Sequence, residues 1–212
     1  MENDYTHIIW DWNGTLLSDV EASLGSVNDM LAGRGRAAIT LEQYKREINI
    51  PIRGFYEAFF DLATEDYDAI LAEYNKGYEQ RLQRCGLTPG VREVLGAARG
   101  KNIRQAIVSS SENNLILRWL RHFEILPYFD AVLGAADFLA GGKIERAEQY
   151  LAQQKADAAK VLVIGDLIHD YEMARTLGAD CVLFTSGHHG PAQFGNTGAR
   201  VLDSAWDVLG LL

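Results

Sequence analysis

The sequence predicts an α/β protein with a Rossmann-like parallel sheet core and an inserted α-helical unit. Short apolar runs of strand length recur at "HIIWD", "RQAIVS", "FDAVLG", "KVLVIGD" and "DCVLF", the pattern of strands buried on both faces. Helical patterns alternate with them, in "ENNLILRWLRHF", "KIERAEQYLAQQ" and "HDYEMARTLG", and "SAWDVLGLL" closes the chain in the same way. The stretch 17–87 breaks the alternation, with several helical patterns and no strand signal.

The first strand run ends at Asp11. Beyond it, Ser18 with Glu21 and Thr40 with Gln43 have capping-box spacing, and Val20, Leu24, Val27 and Leu31 recur on one helical face. Phe55, Tyr56, Phe59, Phe60 and Leu62 read as a helical core, and "EDYDAILAEYNKGYEQRL" is a long amphipathic helix. Thr88, Pro89 and Gly90 mark the return. The expected division is a core of 1–16 and 88–212 with a helical cap of 17–87, hinged near 16–19 and 85–90. In a doubly wound sheet, ligands bind at the carboxyl ends of the strands, where Asp11, Ser109 and Asp166 are expected.

A chain of 212 residues, 48% hydrophobic, has enough apolar surface for one good core and a small accessory unit. Its net charge of −9 argues against binding nucleic acid or an anionic membrane. Cys85 and Cys181 form no disulfide framework and have no metal-ligand spacing. No run reaches the length of a membrane helix, and "MENDYTHII" lacks the features of a signal peptide. The expectation is a cytoplasmic protein with a small-molecule partner.

Four stretches carry candidate chemistry. Asp11, Gly14 and Thr15 place a carboxylate in a glycine-permitted turn whose N–H groups suit an anion, although an aspartate there also reads as a turn residue. Asp166 and Asp170 in "VLVIGDLIHD" lie one helical turn apart; they suit a magnesium site, or a turn with a capping acid. Ser109 and Ser110 offer donors to a phosphate at a helix start, whereas Ser111 reads as an ordinary N-cap. Lys143 follows two glycines where a cation opposes the helix dipole, so it reads as an anion ligand or as a solvated lysine.

In this order, with a helical insert after the first, these stretches resemble the haloacid dehalogenase superfamily of phosphohydrolases over essentially the whole chain. The cap position is similar to the phosphoglycolate phosphatase and phosphoglucomutase branch. The resemblance implies that Asp11 attacks phosphorus to form an aspartyl-phosphate. It implies Mg2+ held by Asp11, the Asn13 carbonyl and Asp166, with Asp170 orienting metal-bound water or the lysine, and phosphate oxygens bound by Thr15, Ser109, Ser110 and Lys143. Substrate choice would come from the cap, where Arg53 is a candidate for a substrate carboxylate or a solvated side chain.

Asn13 departs from the pattern, since phosphatases of this family carry a second aspartate there. An amide neither gives nor takes a proton at neutral pH. The expectation is a phosphatase working with a substitute (His169, Asp19 or water) or with good leaving groups. The alternatives are a C–P hydrolase using a cap lysine such as Lys45, and a protein that binds a phosphate ligand without turnover. Asn13–Gly14 is also a deamidation-prone pair. His188 and His189, in "TSGHHGPAQF", read as solvated loop residues.

Overall fold

The computed structural model describes residues 4–136, 142–195 and 197–212. The chain divides into two units, one of Met1–Leu17 with Leu87–Leu212 and one of Ser18–Gly86.

The first unit is built on β1 (His7–Trp10). The chain next forms β2 (Leu17–Ser18), the helices α1 (Val20–Gly33), α2 (Leu41–Glu47), α3 (Arg53–Phe59) and α4 (Tyr67–Leu82), and β3 (Gly86–Leu87). It continues through α5 (Val91–Gly100), β4 (Arg104–Glu112), α6 (Asn113–His122), β5 (Ala131–Ala135), α7 (Lys143–Gln154) and β6 (Val161–Gly165). Then follow α8 (Ile168–Leu177), β7 (Asp180–Phe184), α9 (Pro191–Phe194) and β8 (Arg200–Leu202).

Six of the strands form one parallel sheet in the order β5-β4-β1-β6-β7-β8. β1 therefore lies in the interior, with β4 and β6 on either side. Side chains alternate across the pleat. Ile9 faces the same side as Ala106, Val108, Val161 and Val163, where Ala147, Tyr150 and Leu151 of α7 and Met173 and Ala174 of α8 complete a core. On the other side Trp10 is fully buried, and its indole Nε1–H donates to Gln105 Oε1 at 3.1 Å. Gln105 in turn donates to the Leu95 carbonyl of α5 at 3.0 Å. Continuing the alternation, Asp11 shares the side of Ile9, towards α7 and α8.

All five expected strands are present. β8 went unread because a three-residue edge strand, with Arg200 and Val201 exposed, has no doubly buried apolar run. The closing "SAWDVLGLL" forms not an α-helix but a 3-10 turn over Ala205–Gly210. Ala205 and Val208, three apart, are the buried pair, while Trp206 and Leu209 are exposed.

In the helical unit, Val20, Val27, Leu31, Tyr44, Phe55, Tyr56, Phe60 and Ile70 form its own core, with Leu24, Phe59 and Leu62 against it. Thr40 and Gln43 form the expected capping box, through bonds of 3.1 and 2.8 Å. The box expected at Ser18 does not form. Ser18 belongs to β2 and Asp19 takes the N-cap position without a capping bond; its carboxylate accepts the Tyr78 hydroxyl at 2.6 Å.

Replacing Gln105 with leucine removes the acceptor of the buried Trp10 indole. The expected loss, read from denaturant midpoints at unchanged slope, is about 1–3 kcal/mol, the cost of stranding a buried donor.

Candidate active site

Asp11 directly follows β1, and its N–H still donates to Ile164 O of β6 at 2.9 Å, which sets it abreast of the end of that strand. Asp166 follows β6, and Asp170 lies in the first turn of α8. Each of the three carboxylates contributes an oxygen to a group lying within 4.8 Å of one another. All three residues are buried.

Lys143 opens α7 behind Gly142, whose φ of +74° is a left-handed conformation suited to glycine. Its side chain is buried; Nζ donates to Asp11 Oδ1 and, at 2.6 Å, to Asp170 Oδ1. The solvated reading of this lysine is thereby excluded. The glycine before Gly142 lies outside the described residues. Asp170 Oδ2 accepts the N–H groups of Asp166 at 3.1 Å and Leu167 at 3.0 Å, so one carboxylate holds both the lysine and the turn after β6.

Asp166 accepts the Thr15 hydroxyl on Oδ1 at 2.7 Å and the His188 N–H on Oδ2 at 2.6 Å. Glycines make room for it. A Cβ on Gly187 would lie 2.2 Å from Asp166 Cβ, and one on Gly14, at φ +70°, would lie 2.3 Å from Asp166 Oδ2.

Burial, with the neighbouring Asp170 and Asp166 charges adding to it and Lys143 opposing, pushes the Asp11 carboxyl up to about 7. Burial likewise pushes Asp166 up to about 6, with the Asp170 charge adding to it and His188 and Thr15 opposing. For Lys143, burial works against the charge, but the Asp11 and Asp170 carboxylates outweigh it and hold the ammonium above its usual range. Three buried acids lie together with one buried lysine, which bonds two of them, and Asp11 and Asp166 keep raised pKa values beside it. A divalent cation that prefers oxygen ligands fits that donor set.

On the β4 side, Ser109 is buried and Ser110 half-buried. The Ser109 carbonyl accepts Arg146 Nη2 at 2.8 Å, and its hydroxyl accepts the Ser111 N–H at 3.2 Å. Ser111 is not the cap of α6. Glu112 is, accepting the N–H groups of Asn114 and Leu115 at 2.9 and 2.8 Å. The Ser111 hydroxyl donates instead to Asn13 Oδ1. A cap is a local reading, and the ninety-eight-residue separation from Asn13 hides this contact from it.

The histidine loop also differs from expectation. His188 and His189 are buried rather than solvated, and His189 Nδ1 accepts the Ile168 N–H at 3.2 Å. The preceding Gly187 packs against Asp166, a tertiary contact that the local sequence does not signal. His169, half-buried beside Asp170, has its imidazole pKa lowered by burial and by Lys143. Arg53 lies in the helical unit, exposed, with Nε 2.9 Å from Glu57 Oε1 and its guanidinium 5.0 Å from the Tyr67 ring centroid.

A strand-end carboxylate clasped by a buried lysine, with two further acids behind it on a parallel sheet, defines a hydrolase of the haloacid dehalogenase-like class. The family model for haloacid dehalogenase-like hydrolases matches residues 8–184, and the chain belongs to that family. It is similar to the phosphoglycolate phosphatase of Rhodobacter capsulatus, 27% identical over 85% of this chain and 84% of that protein. It is also similar to the tyrosine-protein kinase PtkA of Mycobacterium tuberculosis, 26% identical over 96% of this chain and 72% of that one. In fold it is similar to a haloacid dehalogenase-like hydrolase from Streptococcus pneumoniae, at TM-score 0.82 and 17% identity over 98% of both chains.

Two outcomes are expected. Raised carboxyl pKa values mean that the folded chain retains protons its unfolded form releases near pH 4. The stability contributed by Asp11 and Asp166 is therefore present at low pH and lost as pH rises through about 6 to 7. Melting temperatures in chelator should fall between roughly pH 4 and 7 and then level off, with a shallower fall in Asp11→Asn. Gly187→Ala should displace Asp166 and cost about 1–3 kcal/mol in denaturant unfolding, as overpacking does.

Proposed function

We propose that the chain is a Mg2+-dependent phosphohydrolase that cleaves a small, soluble phosphate monoester through an aspartyl-phosphate at Asp11, in the manner of phosphoglycolate phosphatase. The observation that carries this reading is Lys143 Nζ bridging Asp11 and Asp170 in a buried site. A lysine so held works against the burial that raises the Asp11 carboxyl and presents positive charge where a phosphoryl group must approach it.

Asp11 is the nucleophile, and the ester bond breaks as its oxygen bonds to phosphorus. Thr15, Ser109, Ser110 and Lys143 bind the phosphoryl oxygens. Asp11, the Asn13 carbonyl and Asp166 would hold Mg2+, which when bound offsets the repulsion between carboxylate and phosphate. Asp170 orients the lysine, with its oxygens on Lys143 and on the turn N–H groups. The Ser18–Gly86 unit acts as a cap that admits substrate and excludes water, with Arg53 reading a substrate carboxylate. Two free thiols suit a reducing cytoplasm. Among the described residues no helix is long and apolar enough to cross a membrane.

Asn13 favours one second reading, a protein that binds a phosphate ligand without turnover. Hydrolysis of 4-nitrophenyl phosphate separates the two. The expected result is turnover that requires Mg2+, is abolished in Asp11→Asn and falls roughly 10²–10³-fold in Lys143→Met, the scale for losing one preorganised donor. Ligand-induced thermal stabilisation with no turnover of any phosphate would establish binding alone.

A further inference from the structure

We propose that a cavity at the amino ends of β6, β7 and β8 is a mononucleotide site, separate from the cluster of Asp11, Asp166 and Asp170. The inference does not depend on the reaction assigned to that cluster.

The cavity measures about 560 Å³, inside the range of about 300–1,000 Å³ that small-molecule sites occupy. Leu162 of β6, Asp180 at the first position of β7 and Arg200 at the first position of β8 line it, with Tyr5 ahead of β1 and Tyr171 and Arg175 of α8. Because the strands run parallel, this is the opposite end of the sheet from Asp11 and Asp166, which follow the last residues of β1 and β6. Two sites on one sheet are therefore kept apart by the length of its strands.

The wall carries charge unlike that of the chain. Net charge is −9, with 29 acidic residues, yet Arg175 and Arg200 are both exposed and neither forms an ion pair among the described residues. Arg175 meets only a phenol, with Nη1 3.5 Å from the Tyr171 hydroxyl and the guanidinium 6.0 Å from that ring centroid. Asp180 accepts the Tyr5 hydroxyl on Oδ2 at 2.7 Å, and its Oδ1 accepts no hydrogen bond among the described residues. The wall thus offers two unpaired cations, one unfilled acceptor and aromatic surface. A guanidinium presents a planar fork of donors that matches phosphate, a carboxylate oxygen accepts a sugar hydroxyl, and an aromatic ring stacks on any base. Inorganic phosphate would leave most of the volume unfilled and Asp180 opposing it. A nucleoside would leave both cations unanswered, whereas a mononucleotide uses all three features.

The test titrates the full chain carrying Asp11→Asn, in chelator so that no phosphate is hydrolysed, with AMP, GMP, adenosine and inorganic phosphate. Heat of binding and backbone amide resonances are followed. AMP and GMP should each saturate one site and shift the amides of Tyr171, Asp180 and Arg200, while those of Thr15 and Lys143 stay in place. Adenosine and phosphate should each bind at least about tenfold more weakly than AMP. Adding Lys143→Met should leave AMP affinity unchanged. Adding Arg175→Gln or Arg200→Gln should weaken it about tenfold, the scale of one lost charge-assisted hydrogen bond.

Phosphate that binds as tightly as AMP would overturn the nucleotide assignment and leave an anion site. The site itself falls if neither nucleotide saturates, or if AMP affinity is indifferent to both arginine substitutions. It falls equally if the amide shifts centre on Thr15 and Lys143 and affinity is lost with Lys143→Met, which would place the nucleotide in the acid cluster instead. The amide shifts are read with both arginines intact, so they decide the question even where an arginine variant fails to fold.

Discussion

The site depends on one buried cation. An ammonium taken out of water stays charged only where carboxylates and hydrogen bonds replace its hydration. Lys143 is placed where the dipole of its own helix also works against it, so Asp11 and Asp170 must both be present. Losing one partner of such a buried pair typically costs about 3–5 kcal/mol. The fold converges on that contact. β1 is interior, Asp11 emerges on the side covered by α7 and α8, and the first turns of those two helices deliver the lysine and the second acid.

The remaining carboxylate is held differently. Asp166 is gripped by a hydroxyl and a backbone N–H and is packed closely against glycines. Two modes of restraint thus act on neighbouring acids. Asp11 accepts a lysine ammonium, whereas the bonds to Asp166 come from a hydroxyl and a backbone N–H.

Much of this was legible in the sequence because buried strands and strand-end acids are local patterns. The five apolar runs, Asp11, Asp166, Asp170 and Lys143 needed only spacing and residue type. What escaped was decided across long separations or by the absence of a pattern. Ser111 looks like a cap until Glu112 takes that role and Asn13 takes its hydroxyl. Ser18 looks like a cap, but it lies in β2, and Asp19 takes the N-cap position. The paired histidines look solvated because nothing local reveals that Gly187 presses against Asp166. β8 has too few residues, on too exposed an edge, to leave a periodic trace.

One modest bond carries an architectural consequence. The Thr88 N–H donates to the Leu16 carbonyl at 2.9 Å, so the chain leaves the α/β unit and returns to it at neighbouring points. β2 and β3 pair as a two-stranded ladder at that junction. For the sheet, the whole helical excursion is topologically equivalent to a tight turn. Because closure entropy grows only logarithmically with loop length, the excursion is free to be lengthened, recomposed or exchanged while β1 keeps its register. A lineage built this way diversifies by rewriting one interval of its chain and inheriting the rest.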